Sequence, residues 1–288
     1  GPAPWHVTVE TVELTWSAYV SRANALATIR WLSHSRESES YLQEAVDVYR
    51  RVLEIYRAAE LHEESAEIQK NLGMVLIGLG TRTKGGEGNR LLRHGIEALR
   101  AALGVYTRTD APRVCGLLQN IMGVAKLNLG TRTKGEEGNQ LLQESIDVLR
   151  VALEIRSRAD APKTRAALRN DLGRALGQLG SRIKGEEGNQ LLQESIDVLR
   201  AALEIRTREE MPEESATTQK NLGLALVSLG TRTKGEEGNQ LLRDGIEALR
   251  VALGVYTQID TPEDWALIQS NLGNASAELA MRIKGEEG

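Results

Sequence analysis

The sequence predicts an all-α fold: a solenoid of antiparallel helix pairs stacked in series, with about eleven helices in all. Three observations carry the prediction. First, the stretch KGEEGNQLLQESIDVLR occurs at residues 134–150 and again, letter for letter, at 184–200. Second, the fifty-residue spacing between those copies holds along the chain. Gly80, Gly130, Gly180 and Gly230 each close a Leu-Gly and are followed by TRTKG, TRTKG, SRIKG and TRTKG, while Gly73, Gly123, Gly173, Gly223 and Gly273, like Leu103, Leu153, Leu203 and Leu253, recur at the same interval. Third, the composition suits helix: 41% apolar residues, 3% aromatics and no Phe leave a core of Leu, Ala, Ile and Val. A lone helix pair cannot bury both of its apolar faces, so each copy supplies half of its neighbour's core, and copying the sequence copies the interface.

From the amino end, Gly1-Pro2 looks like the remnant of a protease cleavage, and residues 1–10 read as a lead-in from which a leader could have been removed. Residues 11–60 form a divergent first repeat. Ala23, Leu26, Ala45 and Leu53 keep the register, but SHSRESES replaces the glycine-rich stretch, as expected of a terminal unit whose outer face has no neighbour to match. Repeats then follow at 61–110, 111–160, 161–210 and 211–260, and residues 261–288 are a final half repeat that stops at KGEEG, the mark of a piece cut from a longer protein.

Within a repeat the first helix opens at Pro112, Pro162, Pro212 or Pro262, since proline lacks an N–H that would have no partner at that position. Thr261-Pro262-Glu263-Asp264 reads as a capping box with Asp in place of Glu. Leu168, Leu172, Leu176 and Leu179 form the apolar stripe that leads to Gly180. TRTKGEEGN reads as a loop, after which Asn139, Asn189 and Asn239 stand as N-caps of the second helix. That helix carries Leu142, Ile146, Leu149 and Leu153 on one face, with Asp147 and Arg150 outside it as a surface ion pair. Both helices run to about 18–20 residues, roughly 28 Å at 1.5 Å per residue.

These marks resemble tetratricopeptide (TPR) repeats of a long, bacterial style. Leu222-Gly223 with Leu226 matches the family's first-helix mark, and Gly245 and Ala252 match its two small second-helix positions. The equivalents are Ala45, Gly95, Ser145 and Ser195, then Val52, Ala102, Ala152 and Ala202, and all but Val52 are small, which lets two helices approach closely. The departures are a repeat of fifty residues where the family has 34, and Gln69, Gln119, Gln219 and Gln269 where it often has Trp. The resemblance implies a right-handed superhelix whose concave wall is lined by the first helices. The groove positions it transfers are Lys70, Met74 and Ile77; Asn120, Val124 and Leu127; Asn170 and Arg174; Lys220, Leu224 and Val227; and Ser270 and Asn274. Lys70 and Lys220 fit the family's grip on a terminal carboxylate, but Met74 and Leu224 stand where Asn would be needed, so an apolar trough for an amphipathic helix or extended segment fits better.

Little else points to chemistry. Thirty-six basic residues against 40 acidic give no global reason to bind nucleic acid or an anionic membrane, and no apolar run approaches the roughly 20 residues a span requires. His6, His34, His62 and His94 do not recur with the repeat, and the single Cys115 reads as a structural thiol in a cytoplasmic protein. GTRTKGEEG lacks the Gly-Lys-Ser/Thr ending of a phosphate loop and follows a helix. It leaves a ladder of Arg82, Lys84, Arg132, Lys134, Arg182, Lys184, Arg232 and Lys234, which reads either as an anion-binding strip or as salt bridges to Glu87, Glu137, Glu187 and Glu237. The expectation is a non-enzymatic, cofactor-free scaffold that binds a protein or peptide segment in its groove as the sensor of a larger protein. The alternative is a self-assembly or regulatory spacer acting through repeat edges or an open carboxyl end, where Trp265, Leu272 and Leu279 lack a covering helix.

Overall fold

A computed structural model describes residues 21, 36–157 and 162–286. Among them are ten helices: α1 (Arg36–Ala58), α2 (His62–Arg82), α3 (Gly85–Ala102), α4 (Pro112–Arg132), α5 (Gly135–Ser157), α6 (Pro162–Arg182), α7 (Glu186–Leu203), α8 (Pro212–Gly230), α9 (Gly235–Ala252) and α10 (Pro262–Glu286). The described residues contain no strand. The chain divides into two compact units, Gly1–Arg132 and Thr133–Gly288. In the first, α1 packs on α2, α2 on α3 and α3 on α4, and α2 also touches α4. In the second, each of α5 to α10 packs on the next, and α6, α8 and α10 form their own row. Even-numbered helices are thus the first of each pair and odd-numbered helices the second. Ala23 and Leu26 lie outside the described residues; Ala45 and Leu53 are buried in α1, and the RESES of SHSRESES is already helical.

The expected apolar stripes form the core. Leu168, Leu172, Leu176 and Leu179 are buried, as are Leu142, Ile146 and Leu149, with Leu153 half-buried. Prolines 112, 162, 212 and 262 each begin a helix. Small residues sit where helices cross: a Cβ on Gly223 would meet Leu249 Cγ at 2.7 Å, and one on Gly245 would meet Val227 Cγ2 at 2.8 Å. Close packing of this kind tolerates no added methyl group.

The glycine-rich stretch is not a long loop. The first helix runs on through Thr81-Arg82 and the second starts at Gly85, leaving Thr83 and Lys84 as the whole connection in that pair. Gly85, Gly135, Gly185 and Gly235 hold φ between +69° and +80°, the left-handed region that a side chain disfavours. Three residues on, a Cβ at Gly88, Gly138, Gly188 or Gly238 would stand 1.9–2.1 Å from the carbonyl oxygen of Thr83, Thr133, Ile183 or Thr233. The helix therefore starts four or five residues earlier than expected, and Asn139, Asn189 and Asn239 lie inside it rather than capping it.

Arginines of the ladder are anchored on backbone carbonyls. Arg132 Nη1 donates to Gly80 O (2.7 Å) and Thr83 O (3.1 Å), and its Nη2 to Thr81 O (2.6 Å). Arg232 does the same to Gly180 O, Ile183 O and Ser181 O at 2.8–2.9 Å. Arg282 repeats it on Gly230 O, Thr233 O and Thr231 O at 2.8–3.1 Å, and Arg182 Nη1 reaches Thr133 O at 3.1 Å. Each arginine satisfies carbonyls left open at the end of the preceding first helix, where the helix dipole is negative. Glu87 bonds Arg90 on its own helix instead.

Two other sequence expectations change. Arg150 forms a forked pair with Glu194 of the next repeat at 2.7 and 2.8 Å rather than with Asp147, which accepts from Gln143. Asp264 bonds Lys220 across to α8 instead of completing a capping box, and the Thr261 hydroxyl faces Thr257.

Replacing Arg232 with Met leaves three carbonyls without a charged donor and should cost about 1.5–3 kcal/mol. Arg243→Met, which breaks an exposed pair with Glu236, should shift the midpoint much less, because solvent screens that pair. Urea unfolding midpoints of the two variants measure the difference, and equal losses would show that the arginine contacts carry no special weight.

Candidate functional site

In the first unit α2 and α4 lie side by side, and a groove of about 340 Å³ opens between them. Met74, Ile77, Gly78, Ile121 and Val124 form its apolar lining, and Thr81, Arg82, Asn120 and Asn128 supply its polar rim. The groove exists because position 78 is glycine and position 124 is a short valine. Asn128 Nδ2 approaches Thr81 Oγ1 at 3.4 Å across it, while Asn120 Oδ1 is buried without a hydrogen-bond partner. Four of the groove residues expected from sequence, Met74, Ile77, Asn120 and Val124, thus come together here.

Burial differs among the expected positions. Ile77, Leu127 and Val227 are buried: Ile77 Cγ1 would stand 2.6 Å from a Cβ on Gly95, so this position fills the space above the small residue of the second helix. Asn170 is buried too, accepting from Asn221 Nδ2 at 3.0 Å. Arg174 and Leu224 are half-buried, and Ser270 and Asn274 are exposed on α10.

Lys70 and Lys220 are held in place rather than presented to a ligand. Lys70 Nζ bonds Glu67 at 2.6 Å and lies 5.8 Å above the Tyr106 ring, whose hydroxyl donates to the same carboxylate at 2.8 Å. Lys220 Nζ bonds Asp264 at 2.8 Å and lies 4.6 Å above the Tyr256 ring, whose hydroxyl pairs with Thr217 at 2.9 Å. Burial pushes the Glu67 carboxyl up, but hydrogen bonds from Lys70 and Tyr106 with the lysine charge bring it below the usual carboxylate range. Burial and the Glu67 hydrogen bond raise the Tyr106 hydroxyl to about 12.

In the second unit the corresponding space between α6 and α8 is closed. Arg174 and Gln178 stand at the places of Met74 and Gly78, and about 30 Å³ remains, room for one water. Here the repeat has an arginine where others have tyrosine: Arg206 Nη1 donates to Thr218 Oγ1 at 3.1 Å, which donates to Glu214 O at 2.8 Å. Burial raises the Asp171 carboxyl, against the pull of Arg174, Arg206 and Asn170. Burial lowers the Arg206 guanidinium, against Asp171 and Glu214. These Tyr and Arg locks were missed from sequence, although the alternation of GVY at 104–106 and 254–256 with EIR at 154–156 and 204–206 marks them.

Of the proposed anion strip, Arg132, Arg182 and Arg232 are engaged with carbonyls, Arg82 sits at the groove rim, and Lys84, Lys134, Lys184 and Lys234 are exposed at the turns. Cys115 is buried, its thiol pushed up by that burial. Among the described residues His62 and His94 are exposed, and no three His, Cys, Asp or Glu side chains group to hold a metal; His6 and His34 lie outside them. No described helix is long and apolar enough to cross a membrane.

Consecutive helix pairs on a fifty-residue register make the chain an all-helical tandem-repeat protein. No protein-family model and no curated protein matches it. Among solved structures it is similar to a circular tandem repeat protein with novel repeat topology and enhanced subunit contact surfaces, at 19% identity and a TM-score of 0.37 over 94% of this chain. The chain spans 66% of that protein's length. It is also similar to a chain from the computational design of self-assembling cyclic protein homooligomers, at 16% identity and a TM-score of 0.24 over 96% of both chains.

The Glu67 cluster makes stability depend on pH. Because its folded pKa lies below the unfolded value, the contribution is present above the ordinary glutamate range and disappears as pH falls through the folded value. Glu67→Gln should therefore lose up to about 1 kcal/mol at pH 7, as befits a half-exposed pair, and nothing once the parent carboxyl is protonated. Urea unfolding at neutral and at strongly acidic pH tests the sign.

Proposed function

We propose that the chain is a non-enzymatic recognition scaffold of the tetratricopeptide kind, built of repeats at 61–110, 111–160, 161–210 and 211–260, which holds a segment of a partner protein against α2 and α4. The observation that carries this reading is the groove itself. An apolar space of about 340 Å³ between α2 and α4 has a counterpart of about 30 Å³ between α6 and α8, where Arg174 and Gln178 fill it. The fold therefore has a way to close this space and leaves it open between α2 and α4. An apolar side chain of an amphipathic helix or extended segment fits among Met74, Ile121 and Val124. A single buried free thiol, Cys115, suits a cytoplasmic setting.

A second reading, self-association through an end, is favoured by Leu267 and Met281 on α10, 46% and 64% exposed. Light scattering over a range of concentrations separates the two, since a constant monomer mass removes the second.

Peptides selected from a displayed random library on the intact chain test the first. Met74→Glu with Gly78→Gln should cut their affinity at least about tenfold, as expected for losing one buried apolar contact, with helicity by circular dichroism unchanged. Binders that ignore both substitutions would place recognition elsewhere.

A further inference from the structure

The first helices differ in charge. α2, α8 and α10 each carry more acids than bases and open on two acids, Glu63 and Glu64, Glu213 and Glu214, Glu263 and Asp264. α6 reverses this, with Lys163, Arg165, Arg169, Arg174 and Arg182 against Asp171 and no acid in its first turn. Cations near a helix start oppose its dipole, so the helix itself does not call for this charge. Two of the five are held by the fold: Arg169 Nη1 donates to Ala201 O and Arg182 Nη1 to Thr133 O, both at 3.1 Å. Arg174 lies over the space between α6 and α8.

Beneath Arg174 and Gln178 that space has an uncharged floor of Gly173, Gly177, Leu224 and Ala225. Gly177 stands where α2, α4 and α8 have Ile77, Leu127 and Val227, all buried. α6 thus omits the apolar side chain that fills this place elsewhere, and the cover is left to the stems of an arginine and a glutamine. Such a cover moves by side-chain rotation alone, with no change in the helices. Arg174 is half-buried, and Asp171, one turn before it, faces both Arg174 and Arg206. One carboxylate is therefore divided between two guanidiniums, while Arg206 also has Thr218 and Glu214.

We propose that the space between α6 and α8 is a second recognition site, which takes a segment of another protein carrying an apolar side chain with a carboxylate beside it. Arg174 is its specificity-determining residue. In the free chain its stem covers the glycine floor. In the bound chain it swings outward to the segment's carboxylate, and the apolar side chain takes its place over Gly177 and Leu224. A forked guanidinium–carboxylate pair sets the preference for an acid, and the uncharged floor sets the preference for an apolar neighbour. The site is separate from the groove between α2 and α4, which has Met74 in the place of Arg174.

The test pans a displayed random peptide library on the intact chain carrying Met74→Glu with Gly78→Gln, so that the groove between α2 and α4 does not contribute. Selected peptides should carry Asp or Glu within about four residues of a Leu, Ile, Met or aromatic residue. By fluorescence anisotropy, replacing that acid with its amide should weaken binding about tenfold, as for loss of a charge-assisted bond. Replacing the apolar residue with Ala should weaken it by a similar factor. In Arg174→Met the acid and its amide should bind alike, whereas Arg174→Lys, which keeps the charge, should retain a preference for the acid. Circular dichroism and urea midpoints check that both variants fold. The proposal is overturned if no peptide is selected, if the selected peptides have no acid, or if the acid is worth the same factor before and after Arg174→Met. A peptide-free chain whose mass rises with concentration and falls back to monomer in Arg174→Met also overturns it, giving the site to a second copy. Because the groove between α2 and α4 is closed in the panned chain, failure here leaves the first reading standing, and failure there leaves this one.

Discussion

One contact recurs with the repeat: Arg132, Arg232 and Arg282 each reach back about fifty residues to the carbonyls that close the previous first helix. Those carbonyls are the open acceptors every helix leaves at its carboxyl end, and a planar guanidinium can take two or three at once while its charge suits the dipole. The contact also requires the glycine-led turn. The carbonyl of Thr83, Ile183 or Thr233 faces both the arginine and the start of the following helix, and only a residue without a side chain fits there, which is why Gly88, Gly188 and Gly238 stand at that place. Turn, close approach and arginine bridge form one device copied with the repeat.

This explains what the sequence made legible. Helix periodicity, proline starts and the fifty-residue register were readable because each rests on a local rule: apolar spacing, a missing donor, an exact copy. The helix starts were misplaced because GEEG contains no residue that favours an N-cap strongly, so Asn139, Asn189 and Asn239 drew the boundary. The arginine bridges could not be seen because their acceptors are backbone carbonyls, which no residue type marks in a sequence.

Part of the candidate groove can be traced to the sequence. Met74, Asn120 and Val124, positions transferred from a known repeat, line the space between α2 and α4, whereas Ile77, Leu127 and Val227 are buried, Ile77 and Val227 against the places of Gly95 and Gly245. Whether a repeat has an open or a closed groove depends on side-chain volume at two positions, 74 with 78 and 174 with 178, and volume at a shared surface does not show in a periodicity. The polar residues around Asp171 follow the same logic. An aspartate raised by burial and an arginine lowered by it can share one site because each compensates the other's desolvation.

The Tyr106–Lys70 and Tyr256–Lys220 locks join the connection after a second helix to the first helix of the same repeat, as Arg206 and Asp171 do in another. The lysine and its tyrosine thus lie inside one fifty-residue copy, while Lys220–Asp264 and Arg206–Thr218 reach into the next. Exchanging half of one repeat for half of another would separate a lysine from its tyrosine or set it against an arginine of like charge, since Arg156 and Arg206 stand at the place of Tyr106 and Tyr256.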